Sequence, residues 1–295
     1  MGGLGNQLFQ IFTTMAYAIR NKNRFYFVQS EFLGGQGTTI RRDTYWNNFL
    51  TGLKLFLKPQ EEPVSMLLRE QGFPYRDFPT NLFANPNANL KLFGYFQSYK
   101  YFVNEYATIC RFLGLDKKKE ECLKVFQELQ PEQTLFTDKS NINIVISMHF
   151  RLGDYKKLPE YHPIMTHKYY EKSLEFIKNK IKNKANMDTF KVLYFCEEED
   201  HEEVLETIRK LKKLNKNCEF IRASNQLSDW QQMLLMSCCH HNIIANSSFS
   251  WWGAYFNSNP DKMVTYPSKW FGPSAGHDTR DLCPPEWMKI NVYTF

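Results

Sequence analysis

Ile142-Asn143-Ile144-Val145-Ile146-Ser147-Met148-His149-Phe150-Arg151-Leu152-Gly153-Asp154-Tyr155 is the stretch that decides the fold. Ile142 to Met148 is apolar and β-branched, as in a strand buried on both faces, and the residues after it turn abruptly polar. Further apolar runs follow at Val192 to Cys196, Glu219 to Arg222, Asn242 to Ala245 and Met263 to Tyr266. Segments with helical spacing separate them, such as the stripe Val204, Ile208 and Leu211. Apolar strands alternating with helices predict an α/β domain with a parallel sheet, Rossmann-like in character. Ligands of such sheets bind beyond the carboxyl ends of the strands, where His149 to Asp154 fall.

Upstream, Pro131 to Asn141 is polar with little periodicity and reads as a linker, giving domains at 1–138 and 139–295. Near the start, Gly2-Gly3-Leu4-Gly5-Asn6-Gln7 precedes a stripe of Leu8, Ile11, Phe12, Met15, Ala16 and Ile19, which predicts a helix over Gln7 to Ile19. Arg24 to Val28 and Leu90 to Phe96 read as strands of the first half.

The chain has 295 residues, 43% hydrophobic and 23% charged, enough for a sizeable core without disulfides or metals. Its formal charge is +6, spread along the sequence, with one mild cluster at Arg209 to Lys216 on the polar face of a helix. No basic stripe with interleaved aromatics accompanies it, so nucleic acid is not the expected partner. The small positive excess suits a nucleotide diphosphate. Seven cysteines without a CxxC pair favour reduced thiols over zinc. The first residues are not a signal peptide, and no stretch approaches the roughly 20 apolar residues of a membrane span, so a soluble, cytoplasmic chain is expected.

Three constellations carry chemistry. The glycines ahead of the first helix could offer backbone N–H groups to an anion or a sugar hydroxyl; the plainer reading is a tight turn capped by Asn6. After Met148, Arg151 offers a fork of donors suited to a diphosphate, and Asp154 could orient it or His149; the plainer reading is an Arg–Asp pair closing a loop. After Ala245, the serines of Asn246-Ser247-Ser248-Phe249-Ser250-Trp251-Trp252-Gly253 could bind phosphate oxygens together with helix amides, whereas a cap would use only one of them. Trp251 and Trp252 read as packing residues. Glu197 to Asp200 reads as a solvated helix start, because consecutive acids point in different directions and no Asp-x-Asp appears. His240 and His241 read as structural.

These pieces resemble the α-1,2-fucosyltransferases, a glycosyltransferase family 11 type of sequence. The matching residues are Gly2-Gly3-Leu4-Gly5-Asn6-Gln7-Leu8-Phe9-Gln10, Gly94-Tyr95-Phe96-Gln97-Ser98 and His149-x-Arg151-x-Gly153-Asp154-Tyr155. With them go His162-Pro163, Leu235-Met236-Ser237 and Asn242 to Ala254, in order across nearly the whole chain.

The resemblance implies a GT-B fold of two Rossmann-like domains facing a cleft, with GDP-fucose on the C-terminal domain and a galactose-containing glycan acceptor approaching from the N-terminal one. It implies an inverting, metal-independent transfer of L-fucose from GDP-β-L-fucose to the 2-hydroxyl of a terminal β-galactoside, with no cofactor. Arg151 would contact the diphosphate, and His149 and Asp154 are candidates for the general base. Gly5, Asn6, Gln7, Asp229, Asn246, Ser247, Ser248 and Phe249 would complete the GDP-fucose site. Leu152 stands where the family often has a second arginine, so diphosphate contact is expected from Arg151 alone. The family usually has a strand before the Gly-rich loop, so the first strand of the N-terminal domain is expected to be missing. The alternatives are a transferase for another GDP-sugar and a non-catalytic sugar-nucleotide- or glycan-binding module.

Overall fold

The structure, a computed structural model, describes residues 1–34, 41–79, 88–136, 144–182 and 189–292. By contacts the chain divides into two compact units, residues 1–118 with 277–284 and residues 119–276 with 285–295.

The first unit opens with helix α1 (Leu4–Arg20), whose stripe of Leu8, Phe9, Phe12, Met15 and Ala16 is fully buried. Truncating a ring such as Phe12 to Ala would cost about 3–5 kcal/mol. The helix begins three residues before the predicted start, so Asn6 lies inside its first turn and Gly3 takes the cap position. Six short strands follow as three separate pairs: β1 (Phe27–Val28) with β4 (Leu57–Lys58), β2 (Phe32–Leu33) with β3 (Arg42–Asp43), and β5 (Met66–Arg69) with β6 (Leu90–Phe93). Among the described residues this unit therefore has no sheet wider than two strands, unlike the Rossmann-like domain expected there. Aromatic packing holds it instead. Phe102 packs on Phe9 and Phe12, Phe96 on Phe78 and Tyr101, and Phe25 on Phe56. Helix α2 (Tyr106–Leu113) completes it.

Helix α3 (Leu115–Leu129) accounts for the difference between the contact division and the expected one at 138/139. Its Cys122 thiol lies 3.1 Å from the Gln231 carbonyl, and the Lys119 ammonium donates to the carbonyl of Phe256 at 2.5 Å, both in the second unit. The expected linker lies partly outside the described residues, at 137–141. Residues 277–284 join the first unit through Asp281, which takes Lys100 at 2.5 Å and the amide of Tyr75 at 3.1 Å.

The second unit is the expected α/β domain. Its strands are β7 (Ile144–His149), β8 (Phe190–Phe195), β9 (Cys218–Arg222), β10 (His241–Ile243), β11 (Val264–Pro267) and β12 (Met288–Ile290). All pair in parallel, in the order β12-β11-β10-β7-β8-β9. The connecting helices are α4 (His167–Lys182), α5 (His201–Leu214), α6 (Asp229–Cys238) and α7 (Ser248–Tyr255). Helices α4 and α5 pack together, as do α6 and α7, in the manner of parallel strands joined by helical crossovers. One core joins Ile146, Met148 and Val192 to Tyr170, Leu174, Ile208 and Leu211. The chain lays down β7, β8 and β9 in one direction and then crosses back to place β10 on the other side of β7. Strand order reverses between β7 and β10, the position at which open α/β sheets form a ligand crevice.

None of the seven cysteines is in a disulfide. No helix among the described residues is long and apolar enough to cross a membrane.

Candidate functional site

The reversal point puts two loops side by side, residues 149–157 after β7 and 244–248 after β10. Arg151 stands on the first. Its Nη2 donates to Asp154 Oδ1 at 2.6 Å and its Nη1 to Glu197 Oε1, from the loop after β8. Burial works against the guanidinium charge, but Glu197 and Asp154 outweigh it and raise the Arg151 pKa. The Arg–Asp pair of the plainer reading is thus present, with a second carboxylate added.

Glycine at 153 is what permits this arrangement. Its φ is +34°, and a Cβ there would stand 2.4 Å from Glu197 Oε2. Its N–H donates to Asp200 Oδ2 at 2.6 Å, and Lys156 donates to Asp200 Oδ1 at 2.9 Å. Asp200 is only 4% exposed, so it acts as a buried anchor for the loop that carries Arg151.

The reading of Glu197 to Asp200 as a solvated helix start holds for Glu197, Glu198 and Glu199, which are exposed ahead of α5, and fails for Asp200, which is buried. Glu197 pairs with Arg151, Glu198 with Arg222 at 2.6 Å, and Asp200 with Lys156. Consecutive side chains do point in different directions, and that divergence lets each reach a different cation. Sequence reasoning missed Glu197 and Asp200, because no spacing rule connects them to the Arg151 loop, 46 residues before Glu197, and it missed Lys156 because its partner Asp200 could not be placed.

His149 ends β7, is 7% exposed and packs its ring on Phe249 at 5.4 Å. Burial, with Arg151 nearby, pushes its pKa down to about 3, and its Nδ1 has no hydrogen-bond partner. An imidazole held neutral so far below the physiological range is a poor proton acceptor at pH 7. Of the two candidate bases, Asp154 is the accessible one, its side chain 39% exposed.

Across the reversal point, Asn246 is 1% exposed and its Nδ2 donates to the carbonyls of Pro163 at 2.9 Å and Trp270 at 3.0 Å. Its amide nitrogen is thus engaged in holding two loops. Ser247 caps α7, its Oγ accepting from the N–H of Phe249 at 3.3 Å, and Ser248 is the first residue of the helix. Trp251 and Trp252 are fully buried and serve packing, as predicted. His240 and His241 each accept a main-chain N–H through Nδ1, from Val145 and Met263, which fits their structural reading. Tyr155 joins the two sides: its hydroxyl donates to the carbonyl of Asn246 at 3.0 Å and its ring stacks on His162 at 4.4 Å.

Other expected residues lie elsewhere. Asp229 is exposed in the first turn of α6, beyond the edge strand β9, where its Oδ1 accepts from the N–H of Trp230 at 2.7 Å. Gly5, Asn6 and Gln7 belong to the first unit, in the first turn of α1. Gln7 is 5% exposed and its Nε2 donates to the carbonyls of Gly2 at 3.1 Å and Asp43 at 2.8 Å, a structural tie. Asn6 is half-buried, and its Oδ1 accepts from Gln97 Nε2 at 2.8 Å.

Residues 6–291 match the family model for glycosyl transferase family 11. Among curated proteins, the chain is 27% identical to the O-antigen biosynthesis glycosyltransferase WbnK of Escherichia coli over 98% of both. It is 23% identical to an alpha-1,2-colitosyltransferase of Escherichia coli, over 98% of this chain and 96% of that protein. A solved family 9 glycosyl transferase from Veillonella parvula is 14% identical, covers 59% of this chain with 40% of its own, and superposes with a TM-score of 0.36, too loosely to speak to the fold.

Proposed function

The chain belongs to glycosyl transferase family 11, and we propose that it is an inverting α-1,2-fucosyltransferase of the GT-B type. It moves L-fucose from GDP-β-L-fucose to the 2-hydroxyl of a terminal β-galactoside, with the donor on the second unit. The observation that carries this reading is the pairing of Arg151 and the Ser247–Ser248 helix start on either side of the point where strand order reverses. A guanidinium fork, hydroxyls and helix N-terminal amides are donors matched to the two phosphates of a nucleotide diphosphate.

Glu197 occupies Arg151 in the free protein and gives way to the diphosphate on binding. As the glycosidic bond breaks, charge moves onto the departing GDP, and Arg151 lowers the barrier by meeting it there. One displacement on a β-linked donor gives an α-linked product without a covalent intermediate. Asp154 takes the acceptor proton, and His149 stays neutral behind it. Arg151, Ser247, Ser248 and the helix amides meet the phosphate charge, so no divalent metal is required.

A second reading comes from the relative named as a colitosyltransferase. Colitose is L-fucose without its 3-hydroxyl. A site that hydrogen-bonds that hydroxyl rejects the deoxy sugar by about 10⁴-fold, whereas a site that merely encloses it does not. The test is turnover with GDP-fucose, GDP-colitose and GDP-mannose on one β-galactoside. Preference for GDP-fucose supports the proposal; preference for either other donor overturns the donor assignment, and no turnover with any favours a binding module.

A further inference from the structure

The basic run Arg209 to Lys216 has no part in the site described above and lies at the other edge of the second unit's sheet. Because the strands are parallel, α4 and α5 return against them, and their C-terminal ends meet where β8 and β9 begin. The N–H of Phe190 donates to the carbonyl of Asn217 at 3.0 Å, and Lys178 Nζ donates to Asn215 Oδ1 at 2.7 Å. The second bond ties the end of α4 to the residue that follows α5.

Val204, Ile208 and Leu211 form the buried stripe of α5, which leaves Arg209, Lys210, Lys212 and Lys213 exposed on its outer face. Lys216 is exposed just beyond the helix, and Lys178, Lys180 and Lys182 add three cations from α4. No acidic residue occurs in 176–182 or in 207–218. Among the described residues, none of Arg209, Lys210, Lys212, Lys213 and Lys216 is in an ion pair.

The helix dipole accounts for part of this pattern. Its negative end favours cations in the last turn, which covers Lys180 and Lys182 on α4 and Lys212 and Lys213 on α5. The effect fades within that turn, so it does not reach Arg209 and Lys210 before it or Lys216 beyond it. Like charges gathered without counter-ions repel one another, a cost that an anionic partner removes. Leu214 stands among these cations with 59% of its surface exposed.

We propose that the joined C-terminal ends of α4 and α5 are a docking surface for a membrane that carries anionic lipids. The cations meet the headgroups, and Leu214 enters the boundary with the acyl chains. Charge alone would fit any polyanion. The leucine favours lipid, because an apolar side chain gains by burial at that boundary and gains nothing against the phosphates of a nucleic acid. Aromatic rings among the cations would suit a single strand, and 209–216 contains none. The Arg151 loop lies at the carboxyl edge of the same sheet, so changes to this surface leave the proposed donor site intact.

The test is flotation of the whole chain with vesicles of phosphatidylcholine alone and of phosphatidylcholine mixed with phosphatidylglycerol. Binding should require the anionic lipid and weaken as salt rises. Each basic residue near such a surface contributes about fivefold, so Lys210→Gln with Lys213→Gln should weaken binding about 25-fold. Lys54→Gln with Lys289→Gln removes the same charge from exposed positions elsewhere and should leave binding within about twofold of wild type. Leu214→Asn should weaken vesicle binding about fivefold and leave any binding to a duplex oligonucleotide unchanged.

No binding to the anionic vesicles, or equal losses from the two lysine pairs, overturns the proposal. So does wild-type vesicle binding by Leu214→Asn. A duplex oligonucleotide that displaces the protein from the vesicles at equal phosphate concentration replaces the membrane with nucleic acid as the partner. Should the first pair fail to fold, Arg209→Gln with Lys216→Gln makes the same measurement from the two ends of the run. A protein that transfers nothing from any sugar nucleotide sinks the function proposed above and leaves the vesicle result standing.

Discussion

The hydroxyl of Tyr155, on the loop after β7, donates to the main-chain carbonyl of Asn246, on the loop after β10, at 3.0 Å. One hydrogen bond thus ties the arginine-bearing loop to the serine-bearing loop across the reversal of strand order. Burial pushes the Tyr155 pKa up to about 12, so the phenol keeps its proton throughout the neutral range. Tyr155→Phe should cost about 1 kcal/mol of stability, read from the urea midpoint, and should raise the KM for the sugar nucleotide. Lost stability with an unchanged KM would make the tie purely structural.

On the proposed reading, Glu197 and the diphosphate of the donor compete for the Arg151 guanidinium. Both side chains of that pair are partly exposed, which limits the pair to about 0.2–1 kcal/mol. Glu197→Gln should therefore lower the KM for the donor, by up to about fivefold, with kcat little changed. A raised KM would show that Glu197 helps to bind the donor.

Arg151→Lys keeps the charge and loses the fork, and should be severely impaired along with Arg151→Ala while both melt near the wild-type temperature. Near-normal turnover of either purified variant would remove Arg151 from the reaction.

His149 supplies a pH signature of the fold. Its pKa is about 3 in the folded chain, against about 6.5 for an unperturbed imidazole. The unfolded chain therefore binds this proton first, and stability is lost as pH falls from about 6.5 toward 3. His149→Gln should flatten the plot of unfolding free energy against pH in that window. An unchanged slope would assign the acid loss to carboxylates.

What was legible in the sequence follows the physics of each element. A parallel strand buried on both faces must be a continuous apolar run, so β7 and its sheet could be read, and with them the polar turn that carries Arg151. The chain's own order of strands then set the reversal point, which no single segment encodes. Glu197 and Asp200 could not be placed, because their partners come from another strand end. Nor could Asp281, whose bonds to Lys100 and Tyr75 return a late segment to the first unit. The strands of the first half were expected as parts of a sheet. Among the described residues they form separate two-stranded pairs, beside rings packed on one another. Gln97 stood in a quoted motif, but its hydrogen bond to Asn6 joins segments 91 residues apart, which no spacing rule connects.

Turnover should survive exhaustive chelation, since the donors proposed for the phosphates are all side chains and amides. Loss of activity restored by manganese or magnesium would require a metal between protein and diphosphate.

The most direct test is the product itself. Purified protein incubated with GDP-β-L-fucose and lactose should release GDP and form a trisaccharide in which NMR shows fucose α-linked to the 2-hydroxyl of galactose. GDP release no higher than hydrolysis, or a β-linked product, would contradict the account; an α-linkage to another hydroxyl would leave the single displacement standing and refute the acceptor assignment.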